Sequence, residues 1–172
     1  MGGVPAANDA PELAQPDGPI SLWESIADET TRLLWHELIG HVRRTGTPLN
    51  IKYRCDAPHA RRWFPARLTP YPDRRVRFVA TLVSEELRTP VVDETFAVDP
   101  DRFIRMCSWC ARFACDDADA RDDTRGDVWC EIDEAAERQG WLERRRAPSV
   151  THTVCPSCLE QQLAELETIG GA

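Results

Sequence analysis

Leu49-Asn50-Ile51-Lys52-Tyr53-Arg54-Cys55-Asp56 alternates apolar and polar residues without a break. Successive side chains of an extended strand point to opposite faces. Leu49, Ile51, Tyr53 and Cys55 therefore share one face, and Asn50, Lys52, Arg54 and Asp56 the other. The stretch predicts a half-buried strand with Cys55 in its core. Downstream, 61–69 reads as a second strand, with Pro65 suggesting an edge or a bulge. Pro70 to Arg74 make a turn, and Val76, Phe78, Ala80 and Leu82 alternate again in a third strand. Short turns between three strands imply an antiparallel sheet. Upstream, Asp28 is placed to cap a helix running to about Arg44 and ended by Gly46 and Pro48. Leu34, Leu38 and Val42 recur every fourth residue and give that helix a stripe with which to cover one sheet face.

The chain has 172 residues, 42% of them hydrophobic and six of them Trp, enough for a core without disulfides. A formal net charge of −8 argues against nucleic acid as a partner, because phosphate-backbone binding needs clustered positive charge. No apolar run reaches the ~18 residues of a membrane span. Residues 1–20, with Pro5, Pro11, Pro16 and Pro19, read as a loose lead-in that has neither the basic nor the apolar region of a signal peptide. The expected location is the cytoplasm. Seven cysteines, an odd number, argue for metal or free-thiol roles rather than a closed disulfide set.

The strongest chemical signal is Cys107-Ser-Trp-Cys110 paired with Cys155-Pro-Ser-Cys158. A C-x2-C pair forms a tight knuckle whose amides point at the sulfurs, and two knuckles supply four thiolates to one tetrahedral ion. Zinc closes that geometry without redox chemistry, and four protein ligands leave no open position, so the expected role is structural. Cys115, Cys130 and His152 are near enough in sequence to be rival ligands. A redox C-x-x-C opens a helix after a strand in a thioredoxin-like unit, and that context is missing.

Three other patterns resolve to blander readings. His36-Glu37-Leu38-Ile39-Gly40-His41 places its histidines at i and i+5, about 140° apart on a helix, so they cannot chelate together and are expected on a solvated polar face. The aspartates at 116, 117, 119, 122, 123 and 127 fit no register of the calcium-binding EF-hand loop and read as a solvated loop. Arg144-Arg145-Arg146 is too short for a nucleic-acid patch on an acidic chain. No nucleophile elbow, phosphate-binding glycine loop or acid–base pair offers itself, so the chain reads as non-catalytic.

Met106-Cys-Ser-Trp-Cys-Ala-Arg-Phe113, then Gly126-Asp-Val-Trp129 with Glu131, then Thr151-His-Thr-Val-Cys-Pro-Ser-Cys-Leu159, resembles a small bacterial cysteine module that follows PAS or receiver domains in signalling proteins. Leu22-Trp-Glu-Ser-Ile26, the helix, and Tyr53-Arg-Cys-Asp-Ala-Pro58 leading to Arg61-Arg-Trp-Phe64 are similar to the second half of a PAS-like domain from the same proteins. A full PAS fold carries two strands and short helices before the long helix, so the resemblance implies a reduced form whose small-molecule cavity is incomplete or absent.

Taken together, the chain reads as α+β. Residues 1–20 are a lead-in, 21–85 a reduced PAS-like antiparallel sheet with a covering helix, 86–103 a linker, and 104–172 a zinc-binding module with a C-terminal helix. Cys107, Cys110, Cys155 and Cys158 are the expected ligands of a structural Zn²⁺, which should decide whether the second module folds while the sheet folds without it. The resemblance implies a sensory or protein-interaction module of bacterial signalling, its partner another protein or a second copy of itself. Of the sheet's inward residues, Ile51, Tyr53, Phe78 and Leu82 are the candidates to face a ligand, with core packing the favoured reading. Two other classes compete: a rubredoxin-like iron electron carrier, whose knuckles normally continue with Gly where Ala111 and Leu159 stand, and a zinc-ribbon nucleic-acid binder.

Overall fold

The computed structural model describes residues 21–115 and 128–170. The lead-in 1–20 and the aspartate-rich stretch 116–127, with Gly126 of the quoted motif, lie outside the described residues. The architecture is α+β, with two sheets among those residues.

A one-turn helix, α1 (Leu22–Ser25), leads into α2 (Glu29–Thr45). Asp28 caps α2, its Oδ2 accepting from the Thr31 amide at 2.6 Å and from Thr31 Oγ1 at 2.8 Å. An acceptor there satisfies one of the amides that a helix start leaves without an intrahelical partner. Gly46 ends the helix at φ 68°, donating its N–H to Val42 O at 3.0 Å. That left-handed turn is cheap only for a residue without Cβ.

The first sheet is built around β2 (Ala60–Tyr71). Along one side runs β1 (Leu49–Arg54), antiparallel, from Leu49↔Leu68 to Arg54↔Trp63. Along the other side two strands share β2: β3 (Arg75–Ala80) pairs its second half and β4 (Ser84–Leu87) its first. Pro65 is therefore in a central strand, not at an edge. It lies where β3 gives way to β4, and its carbonyl accepts from Thr81 N at 3.1 Å. A strand tolerates a missing N–H at such a change of partner.

The α2 stripe lands as its period requires. Leu34, Leu38 and Val42 are buried against Leu49, Ile51, Ala66 and Leu68. The third strand departs from expectation: Val76 is half-buried, Phe78 is 45% exposed, and Leu82 lies beyond β3 at 44% exposed. Cys55, expected in the core, is exposed. Its strand ends at Arg54, so the alternation no longer fixes its direction.

The second sheet has the order β7-β6-β5-β8. It comprises β5 (Ala97–Cys107), β6 (Phe113–Ala114), β7 (Trp129–Cys130) and β8 (Arg146–Thr153). The β5–β8 pair is parallel, its register shifting between Asp99 and Phe103 at Pro100. The short helices α3 (Ile132–Arg138) and α4 (Trp141–Arg144) belong to the crossover between those strands. The chain ends in α5 (Pro156–Gly170), which packs on α2.

The stretch 86–103, expected as a linker, carries the end of β4 and the first half of β5. The two expected units also share a core. One cluster of buried side chains runs from Leu34, Leu38 and Ile51 through Cys107, Trp109, Val154 and Cys155 to Leu166 of α5. A second, smaller cluster gathers Ile104, Phe113, Cys115, Cys130, Ala135 and Trp141 under α3 and α4.

Candidate metal centre

The first knuckle leaves the end of β5 and turns back toward β6. Cys107 N donates to Arg112 O at 2.7 Å, and Ala111 N donates to Cys107 O at 2.9 Å. Closing this turn puts Ala111 at φ 56°, a left-handed conformation that explains why Gly is the usual residue there. The second knuckle joins β8 to α5, so the strand-to-helix setting of a redox C-x-x-C, expected to be missing, is present here, and it is the gathering of four sulfurs rather than one pair that favours a metal. Cys155 stands just before the helix, Pro156 occupies its first position, where the missing N–H costs nothing, and Cys158 lies in its first turn. Leu159 N donates to Cys155 O at 3.0 Å.

Strand pairing supplies the alignment. Cys107 is opposite Thr153 in the parallel β5–β8 ladder, and Ser108 N donates to Thr153 O at 2.7 Å. Two knuckles separated by 44 residues in sequence thus emerge side by side from one sheet end. The sulfurs of Cys107, Cys110, Cys155 and Cys158 all lie within 4.8 Å of one another. Cys110 Sγ and Cys155 Sγ are 3.9 Å apart, close to the ~3.8 Å that Zn–S bonds of about 2.3 Å give across a tetrahedron. Cys107 and Cys155 are buried, and Cys110 and Cys158 are half-buried. Backbone N–H groups of Trp109 and Cys155 point at Cys107 Sγ, at 3.4 and 3.3 Å.

The four thiols restrain one another. Hydrogen bonds from Cys110 and Cys158 hold the Cys107 thiol far below its ordinary value. The same bond to Cys107 pushes Cys110 up to about 12, and Cys107 and Cys110 push Cys158 up in turn. Four adjacent thiols cannot all give up their protons unless a cation offsets the charge, and a divalent ion does that. The chemistry of the donor set therefore fits a metal ion that takes four sulfurs. With four thiolates the filled site would carry about −2. Lys52, Arg54 and Arg112 line the 410 Å³ cavity that borders Cys110, Cys155 and Cys158, and their charge opposes it.

The rival ligands are elsewhere. Cys115 and Cys130 are joined to each other by a disulfide, with Cα atoms 6.1 Å apart, in the second core cluster. The odd cysteine count concealed this pair, because four of the remaining five gather at one site and Cys55 is left over. His152 is exposed on β8 and is outside the four-sulfur group. His36 and His41 are also outside it. His36 stacks on Trp23 with ring centroids 3.8 Å apart. His41, expected on a solvated face, is 5% exposed, with Nε2 buried and unpartnered.

An ion-pair network beside the centre had no sequence signal. Arg54, expected on the outward face of its strand, is 12% exposed and bonds two carboxylates, Asp56 and Glu131. Its backbone N–H donates to Trp109 O at 2.8 Å, inside the first knuckle. Burial opposes the charge on Glu131, but the Arg54 hydrogen bonds, with Arg61 and Arg112 nearby, outweigh it and hold the carboxyl below its ordinary value. Comparison with protein-family models, with curated proteins and with solved structures finds no match to this chain.

Proposed function

We propose that the chain is a non-catalytic sensory or protein-interaction module of bacterial signalling, with a structural zinc ion held by Cys107, Cys110, Cys155 and Cys158. The observation that carries the metal reading is the four-sulfur cluster itself, assembled from two C-x2-C knuckles and bordered by cations. Four protein thiolates leave no position for substrate or water, which favours a structural ion over a catalytic one. The signalling role rests on the resemblance of the cysteine motifs and of the sheet segment to the PAS-associated module. The exposed apolar side chains Val79, Val83 and Leu87 on and beside β3 and β4 favour a protein partner or a second copy as the binding partner. The charge of −8 disfavours the nucleic-acid reading. No helix among the described residues is long and apolar enough to cross a membrane.

Metal analysis by mass spectrometry of protein purified without added metal tests the site. One zinc per chain, lost in Cys158→Ser and kept in Cys55→Ser, is the expected result. Iron with visible ferric-thiolate absorption would select the electron-carrier reading, and full occupancy in Cys158→Ser would show that the ligand set is wrong. Co-purification of a tagged chain with a second, untagged copy or with a signalling protein tests the role. A strictly monomeric chain that shifts mixed DNA or RNA in a salt-dependent way would select the nucleic-acid reading.

A further inference from the structure

The shared core leaves one large cavity, about 730 Å³, between α2, the face of the first sheet, and the first knuckle with β8. Ligand sites are typically ~300–1,000 Å³, mostly apolar, with a few polar groups to fix orientation. Its walls carry four aromatic side chains from four different elements: Trp35 of α2, Tyr53 of β1, Phe78 of β3 and Trp109 of the knuckle. They form a continuous series. Trp35 meets Phe78 edge-on at 5.7 Å and Trp109 at 5.8 Å, and Tyr53 meets Trp109 at 6.3 Å. None of these pairs is stacked face to face, with interplanar angles from 53° to 72°, so the rings stand as walls around a space rather than closing it.

Charge narrows the occupant. Among the described residues no Lys or Arg lines the cavity, so none of them matches a phosphate or carboxylate. The one carboxylate among its described lining residues, Asp28, already accepts two hydrogen bonds from Thr31 as the α2 cap, which leaves it poorly placed to hold a cation. The hydroxyls of Ser108 and Thr151 and the imidazole of His152 lie at the β8 side and can bond a neutral polar substituent. We infer that this cavity binds an uncharged aromatic molecule of two or three rings, received among Trp35, Tyr53, Phe78 and Trp109. The inference rests on the metal reading in one respect: Trp109 stands between Cys107 and Cys110, so an ion at the four sulfurs would fix one wall of the cavity. Metal and aromatic ligand would then each raise the affinity for the other by the same factor.

The probe is N-phenyl-1-naphthylamine, an uncharged aromatic fluorophore, titrated into the full chain as purified and again after chelation. Its sulfonated relative, 8-anilinonaphthalene-1-sulfonate, serves as the anionic comparator. Saturable binding of one neutral probe per chain is expected, with the sulfonate about tenfold weaker and the binding lost after chelation. Val76→Trp, which fills the cavity from β3 away from the cysteines, and Phe78→Ala, which removes one exposed aromatic wall, should each weaken the neutral probe by about tenfold at unchanged metal content. Absence of saturable binding overturns the proposal, as does wild-type affinity in both variants or tighter binding of the sulfonate. The two readings fail separately. Metal-free protein that binds one probe and loses it in Val76→Trp would overturn the metal centre and keep the cavity site; zinc-loaded protein that binds no probe would do the reverse.

Discussion

Arg54 and Glu131 face each other in a two-bond ion pair, at 2.9 and 2.7 Å, across 77 residues of sequence. The pair ties β1 to the residue that opens α3, so it joins the first sheet to the crossover of the second. Arg54 also holds Asp56 through two further bonds at 3.0 and 2.9 Å, and its backbone grips the metal knuckle. Removing one carboxylate leaves the guanidinium paired with the other, which limits the cost. Glu131→Gln should therefore lower stability by about 1–3 kcal/mol at neutral pH, the usual worth of a hydrogen bond to a charged group. The pH dependence has a definite sign. The carboxyl is held below its ordinary value, so its contribution is complete above the unfolded value near ~4.3 and disappears as the pH falls through the lower folded value. Denaturant titrations of both proteins should show a gap at pH 7 that closes in acid. A gap that persists unchanged below the folded value would mean that Glu131 acts by packing rather than charge.

Chelation should reach further than the cysteine module. Structural zinc contributes on the order of 10–16 kcal/mol in small domains, as much as the net stability of a typical fold. Cys107 and Cys155 are in the same buried cluster as Leu34, Leu38, Ile51 and Leu68, and α5 packs on α2. If an ion joins the four sulfurs as proposed, taking it away removes an anchor of that shared core. Hydrogen exchange with and without a strong chelator should show lost protection in β8 and α5 and also in α2 and β1. Full retention in α2 and β1 would show that the first sheet folds independently of the metal centre.

The parts legible in the sequence are those set by local chemistry. Asp28, Gly46 and the Leu34/Leu38/Val42 stripe define α2 by capping and period, and Leu49 to Tyr53 define β1 by alternation. The four clustered cysteines are legible because a C-x2-C knuckle needs only neighbours in the chain to form. What failed depends on distant partners. The charged, Pro-containing stretch 86–103 reads as a linker because its strands gain their pairing from β2 and from β8, remote segments that no local pattern announces. Phe78 alternates correctly but is half-exposed because a cavity, not a core, lies over it. Arg54 looks like an outward residue until Glu131 arrives from the other sheet. The Cys115–Cys130 pair is hidden for the same reason, since β6 and β7 meet only through the sheet.

That disulfide gives a separable stability effect. It links residues 15 apart in sequence and is in the second core cluster, away from the four sulfurs. Closing a loop of about 15 residues restricts the unfolded chain by roughly 3 kcal/mol. Cys130→Ser should therefore lower the stability of the metal-loaded protein by about that amount while leaving its zinc content at the wild-type level. Metal analysis and thermal unfolding of the same sample check both halves. Zinc lost along with the disulfide would mean that Cys130 supports the metal centre after all.

Ala111 offers the reverse, a gain. It closes the first knuckle at φ 56°, where any residue with a Cβ is strained by roughly 1–2 kcal/mol and glycine is not. The methyl is not idle, because Ala111 is 3% exposed, and burying one such group is worth about 0.8 kcal/mol. The strain exceeds the burial, so Ala111→Gly should stabilise the metal-loaded protein by up to about 1 kcal/mol. The benefit belongs to the folded knuckle, so it should also appear as slower zinc release to a competing chelator. Thermal unfolding and a chelator time course on the two proteins measure these effects side by side. A less stable variant that releases zinc faster would show that the methyl's packing outweighs its backbone strain, and that this knuckle is built for alanine.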